Sequence, residues 1–303
     1  MTINLDRELR MGAKYLSECL TPESGAIPRI DNVDIYGKSL PLNGIAGGDL
    51  ITYVNFQDRY DLQGRITRAW EQGRNEVAEQ LHNLKYKGGI MVADVAGHEF
   101  AESLLALLLH QIFHTSILYE LDLHGELTNH IFEQINKRFF KSRTLHKLAG
   151  GLDAANFVTL IYGEIDNAGR FRFINAGHPS PLIFSRAYDR FVEISSNRFI
   201  SYPPIGIQIL KDDADVKLFP SALGYKEQYA TNELNLMGQG DVLLLFTDGL
   251  TDPFSPYSQD MLEKAVSRSK DGTAEEICNE ILADQSKHLI PSDDISLVVI
   301  KYQ

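Results

Sequence analysis

The chain has 303 residues, 44% of them hydrophobic and 23% charged, a balance that excludes a disordered chain and supports a full hydrophobic core. Twenty-nine Lys and Arg against 41 Asp and Glu leave a formal charge of −12, which excludes a general nucleic-acid binder and a polybasic membrane tether. With only Cys19 and Cys278 there is neither a disulfide framework nor a Cys-rich zinc site, so a reducing cytoplasm is the expected compartment.

The opening residues, MTINLDRELRMG, carry acids and no apolar stretch, so they do not read as a signal peptide. No apolar run approaches the ~20 residues of a membrane span. Leu5, Leu9, Leu16 and Leu20 share one helical face and predict a helix over 5–20, stopped by Thr21, Pro22 and Gly25. This helix packs on its own domain or serves as a connector or dimer element, which divides the chain at about residue 25. VDIYGKSL and DLITYVNF then read as two strands around a Pro41–Gly44 loop. Segment 58–87 is charged, holds Trp70, and reads as a helical insertion within the 26–303 domain. It is a solvated face or a partner contact.

GGIMVADV (88–95) fits a buried strand. Helices follow at 100–118 and 127–140, the second carrying Ile131, Ile135 and Phe139 at helical spacing. FVTLIYGEI and RFRFINA read as strands joined by an Asn167-Ala168-Gly169 turn. PLIF, FVEI and DVLLLFT follow. Thr273 and Glu276 form a capping box for a helix near 274–286, and ISLVVIKY is a last buried strand. Many strands with helices grouped between them predict an α+β layered sandwich.

The acids stand in telling places. Asp94 ends GGIMVA and Asp248 ends DVLLLFT, and a glycine follows each within three residues. A buried strand running onto a carboxylate delivers it to the end of a sheet, and glycine lets the backbone turn sharply there. Asp49, after Gly47-Gly48, opens a strand, and Asp293-Asp294 precede the final one. Any one such Asp is best read as a turn cap. Four such places favour a metal site, because grouped buried carboxylates repel one another and lose their charge unless a cation joins them. An all-oxygen set suits Mg²⁺ or Mn²⁺ rather than Zn²⁺.

Seven blocks in order carry a resemblance: NGIAGGD (43–49), VADVAGHE (92–99), NFVTLIYGEID (156–166), INAGHPSPLI (174–183), YPPIGI (202–207), GQGDVLLLFTDGLTD (238–252) and SDDISLVVI (292–300). The chain resembles the SpoIIE/RsbU-type branch of the PPM (PP2C-like) serine/threonine phosphatases over about residues 28–302. The resemblance implies an αββα sandwich of two antiparallel sheets flanked by helices, with two Mn²⁺ or Mg²⁺ ions at one end. It implies metal ligation by Asp49, Asp94, the Val95 carbonyl, Asp248 and the Asp293/Asp294 pair, with Asp293 the favoured ligand of that pair. It also implies a hydroxide held between the metals that attacks phosphorus in line, with His98 a candidate proton donor to the leaving oxygen. The implied reaction is hydrolysis of phosphoserine or phosphothreonine on a bacterial regulatory protein of the anti-sigma-factor antagonist type. A regulatory partner or second copy would contact 5–20 or 58–87. Two departures stand out: Thr52 where relatives commonly carry a second Asp, and Glu99 where they usually carry Gly. They keep open a catalytically weak or degenerate binding module in signalling. A hydrolase of a non-protein phosphoester is the third reading.

Rival signals are weaker. His110 and His114 have zinc-helix spacing, but Gln111 stands where a hydrolytic Glu would, so they read as helix surface. Asn175 and His178 read as a structural turn, with an orienting role at the site as the alternative. No phosphate-binding Gly loop and no GxSxG nucleophile motif occurs.

Overall fold

The computed structural model describes residues 2–23, 25–42, 46–96, 100–142, 157–195, 198–219, 221, 223–235, 238–251, 256–288 and 292–303. Two sheets face each other. One has the order β1 (Val33–Leu40), β11 (Ile295–Tyr302), β10 (Val242–Phe246), β6 (Leu182–Ser185), β7 (Arg190–Phe191). The other runs β2 (Asp49–Val54), β3 (Lys87–Val95), β4 (Val158–Asp166), β5 (Arg170–Ala176), β8 (Ser201–Tyr202), with β9 (Asn232–Asn235) also on β5. All pairings are antiparallel except β5 with β8.

Strand alternation sorts the core into three layers. Ile51, Tyr53, Ile90, Val92, Leu243, Leu245, Val298 and Ile300 face the space between the sheets. Leu50, Val54, Met91, Ala93, Val95, Val158 and Leu160 face the opposite way, onto helices. Those helices are α2 (Phe56–Arg59), α3 (Leu62–Glu71), α4 (Asn75–Asn83), α5 (Phe100–Leu123) and α6 (His130–Lys141). Val242, Leu244, Phe246, Leu297 and Val299 face α7 (Gln259–Ser269) and α8 (Ala274–His288). The architecture is the expected αββα sandwich, with α1 (Thr2–Leu20) lying against α5.

α5 is held by Leu105, Leu109, Phe113, Ile117 and Leu121, a four-residue repeat that is fully buried on one face. Contrary to the expectation from apolar runs, its Ala101–Leu123 span is long and apolar enough to cross a membrane; here that buried face packs on sheet and helix. The capping box of α8 closes reciprocally: Thr273 N donates to Glu276 Oε2 at 2.7 Å, and Glu276 N to Thr273 Oγ1 at 3.2 Å. FVEI yields only the two-residue β7, since Val192 is exposed beyond it. β8, β9 and α7 carry little signal in the sequence because they are short or weakly apolar.

Candidate active site at one end of the sandwich

At one end, the inward-facing positions change from apolar to polar. Asp49 and Asp94 are directly paired across β2 and β3, and Asp94 is paired with Thr159 on β4. Asp49 shares its face of β2 with Ile51 and Tyr53, and Asp94 shares its face of β3 with Ile90 and Val92. Thr247 and Ser296 occupy the matching inner positions at the ends of the facing strands. Thr247 Oγ1 donates to Asp49 Oδ2 at 2.8 Å and accepts from Ser296 N at 2.8 Å, so one hydroxyl ties the two sheets together.

The charges are strongly coupled. Burial, and next the charge of Asp94, hold the Asp49 carboxyl well above the usual carboxylate range; Thr247 and Ser296 only partly offset them. Burial, followed by the charges of Asp248, Asp293 and Asp294, pushes Asp94 up to about 7. Asp248 lies exposed at the rim, one residue past Thr247, and Asp293 is half-buried.

Asp294 has a different task from its neighbour. It is buried, and its two oxygens accept from Leu42 N at 2.7 Å and Gly48 N at 2.6 Å. It therefore moors the chain entering β2, while Asp293 Oδ1 accepts from Asp294 N at 2.8 Å. The glycines are dictated by this mooring. A Cβ on Gly47 would collide with the Asp294 carboxylate, and one on Gly249 with the Asp294 carbonyl. Val95 is buried at the end of β3, its N donating to Gly48 O at 3.3 Å. His98 and Glu99, together with Asn43, Gly44 and Ile45, lie outside the described residues.

An all-oxygen donor set in which burial and neighbouring carboxylates raise Asp49 and Asp94 is chemistry that hard divalent cations relieve, so these residues fit Mg²⁺ or Mn²⁺. Among the described residues no three His, Cys, Asp or Glu side chains surround one point, so the carboxylates are gathered but not closed into a cage.

Two residues here escaped the sequence reading. Thr247 and Ser296 look like ordinary strand residues; their signal is a hydroxyl at an inward position beside an Asp. The turn expected around Asn175 and His178 is present. Asn175 clamps its turn, donating Nδ2 to His178 O and accepting His178 N, both at 2.9 Å. The His178 ring then lies on the inner side of the sheet that holds β3 and β4, with Nδ1 2.9 Å from Oγ1 of Thr159, the residue paired with Asp94. Burial pushes it down to about 3, so it stays neutral. Thr52, the departure noted above, faces away from the acids: it lies on the Leu50 and Val54 side of β2, 3.0 Å from His110 Nδ1. His110 and His114 are accordingly not on an open helix surface but half-buried against β2.

A family model described as Stage II sporulation protein E (SpoIIE) matches residues 86–303. The chain belongs to the SpoIIE family, within the PPM class of phosphatase folds. It is 27% identical over 218 residues to the phosphoserine phosphatase RsbP of Bacillus subtilis (strain 168). That match covers 71% of this chain and 46% of RsbP, so the chain spans about half the length of its curated relative. The SiaA-PP2C domain of Pseudomonas aeruginosa shares the fold with a TM-score of 0.63 at 13% identity, covering 100% of this chain and 98% of that one. RsbX in complex with magnesium shares it with a TM-score of 0.53 at 12% identity, covering 91% and 98%.

Proposed function

We propose that this chain is a metal-dependent protein serine/threonine phosphatase that dephosphorylates a bacterial regulatory protein of the anti-sigma-factor antagonist type in the cytoplasm. The observation that carries the reading is the register pairing of Asp49 with Asp94 on an inner face, under the charges of Asp248, Asp293 and Asp294. Membership of the SpoIIE family and the likeness to RsbP, itself named a phosphoserine phosphatase, support the substrate class.

Asp49, Asp94, the Val95 carbonyl, Asp248 and Asp293 would hold two Mn²⁺ or Mg²⁺ ions. Asp294 acts as a positioning residue through Leu42 and Gly48. When bound, such a pair of ions supplies an activated water and neutralises the phosphoryl oxygens of an in-line displacement. The protein's own contribution is placement. β2 and β3 fix two carboxylates side by side, and Thr247 orients Asp49. Asp248, exposed at the rim, stands where a phosphorylated side chain enters. His98 is the residue we assign to protonate the leaving serine or threonine oxygen. Residues 1–25 and the helical segment 58–87 are the surfaces we assign to a regulatory partner or second copy.

The test is hydrolysis of p-nitrophenyl phosphate and a phosphoserine peptide with Mn²⁺, with Mg²⁺ and with chelator. Turnover should require the metal, and Asp248→Asn should lower it by roughly 10³-fold. A folded protein that turns over neither substrate at saturating Mn²⁺ refutes the reading in favour of a binding module. Turnover of small phosphoesters without the peptide points to a non-protein substrate.

A further inference from the structure

On the other side of β2 lies a cavity of about 560 Å³, bounded by the end of α1 and the residues after it (Cys19, Glu23), by Thr52, and by His110 and His114 of α5. The two histidines are one helical turn apart, and their ring centroids are 4.4 Å apart. Thr52 Oγ1 engages His110 Nδ1 at 3.0 Å, which fixes the ring and leaves Nε2 as its remaining ligand nitrogen. Burial, and then the neighbouring His114, push His110 down to about 4; burial and Arg59 also lower His114. Both are neutral imidazoles at pH 7, with no proton to displace before a metal binds. Glu23 is the anion that both rings feel, and it is paired with Arg59 on the cavity wall.

We propose that this cavity is a site for Zn²⁺ or a similar borderline transition metal, with His110 and His114 as nitrogen ligands and Glu23 as the carboxylate ligand. Two imidazoles and one carboxylate select Zn²⁺ over Mg²⁺ and Mn²⁺, whose preference is for oxygen. No three such side chains surround one point among the described residues, so Glu23 joins by leaving Arg59. Glu23 is 74% exposed, and a surface ion pair of this kind is exchanged at little cost. Gln111 has no basic carboxylate to offer a bound water. The ion is therefore a tie between α5 and the chain leaving α1, not a second hydrolytic centre. The site shares no residue with the acidic end and stands independently of the phosphatase reading.

Calorimetric titration of Zn²⁺ into the full chain and into His110→Ala/His114→Ala tests the proposal, the difference between the two reporting this cavity. One more site per chain is expected in the wild type. Affinity should fall roughly 100-fold in His114→Gln and at least about tenfold in Glu23→Gln, and Thr52→Val should weaken it about tenfold through the lost ring anchor. His114 and Glu23 are incompletely buried, and circular dichroism verifies that the variants fold. Co²⁺ in place of Zn²⁺ should give the visible spectrum of a tetrahedral site in the wild type and not in His110→Ala/His114→Ala. No Zn²⁺ binding in the wild type, or equal binding in wild type and His114→Gln, overturns the proposal.

Discussion

Strand β2 serves two clusters of titratable groups from its two faces, and they are built on opposite principles. On the inner face, Asp49 meets Asp94 among further carboxylates, and these two are held short of full ionisation by burial and like charge. On the outer face, Thr52 meets His110 and His114, which are held neutral by burial. Asp49 and Thr52 are three positions apart on one strand, and the period of two sends them to opposite sides. The first cluster has an electrostatic deficit that a hard cation removes. The second has uncharged nitrogen donors that a softer ion can use.

The largest effect that breaks this comparison should come from backbone space, not from charge. Gly249→Ala places a Cβ against the Asp294 carbonyl, which is backbone and cannot swing aside. The strand end must move, and with it the mooring of Leu42 and Gly48. We expect a loss of about 3 kcal/mol in chemical denaturation, with turnover in the proposed phosphatase reaction falling alongside it. The histidine cavity does not depend on this approach, so a ring-based probe of His110 by NMR should change little. A Gly249→Ala protein with wild-type stability would show that Asp294 does not set the geometry of this end.

Much of the acidic end was legible because its signal is local. An apolar run, then Asp, then Gly within three residues states both that a carboxylate sits at a sheet end and that the chain turns there. The ordered blocks then supplied the pairing of the sheets, which no single strand encodes. The outer face was illegible for a physical reason. α5 is apolar on nearly every side, so its periodicity does not say which face His110 and His114 occupy; only the seating of Leu105, Leu109 and Phe113 settles it. Thr247 and Ser296 escaped for a related reason, since their roles arise from contacts across 198 and 49 residues of sequence.

The pH dependence of the metal-free protein separates the two clusters by sign. Asp94 has a folded pKa of about 7, above the ordinary carboxyl value of 3.8, so the folded state holds this proton more tightly than the unfolded state. Its contribution is greatest at low pH and is lost as pH rises through about 4 to 7. His110 is shifted the other way, from 6.5 to about 4, so its contribution is present above 6.5 and lost as pH falls towards 4. Stability should therefore slope more steeply upward with pH in Asp94→Asn, and more steeply downward in His110→Gln, when urea midpoints are compared from pH 4 to 7. Parallel curves for the two variants would show that the clusters do not titrate as opposites.

The smallest expected effect is the sharpest probe of why β2 carries a threonine at position 52. Thr52→Val keeps a β-branched side chain of the same shape on a buried strand position and removes only the hydroxyl. His110 Nδ1 then loses its partner in a half-buried setting, and the cost should be that of one such hydrogen bond, about 1 kcal/mol. If Thr52 were there only to fill space against α5, the valine would be neutral or slightly stabilising, because burying a methyl is favourable and no hydroxyl needs satisfying. A double-mutant cycle with His110→Phe decides between these. A coupling energy near the single-variant cost assigns Thr52 to orienting the His110 ring, whereas additive effects return the threonine to simple packing.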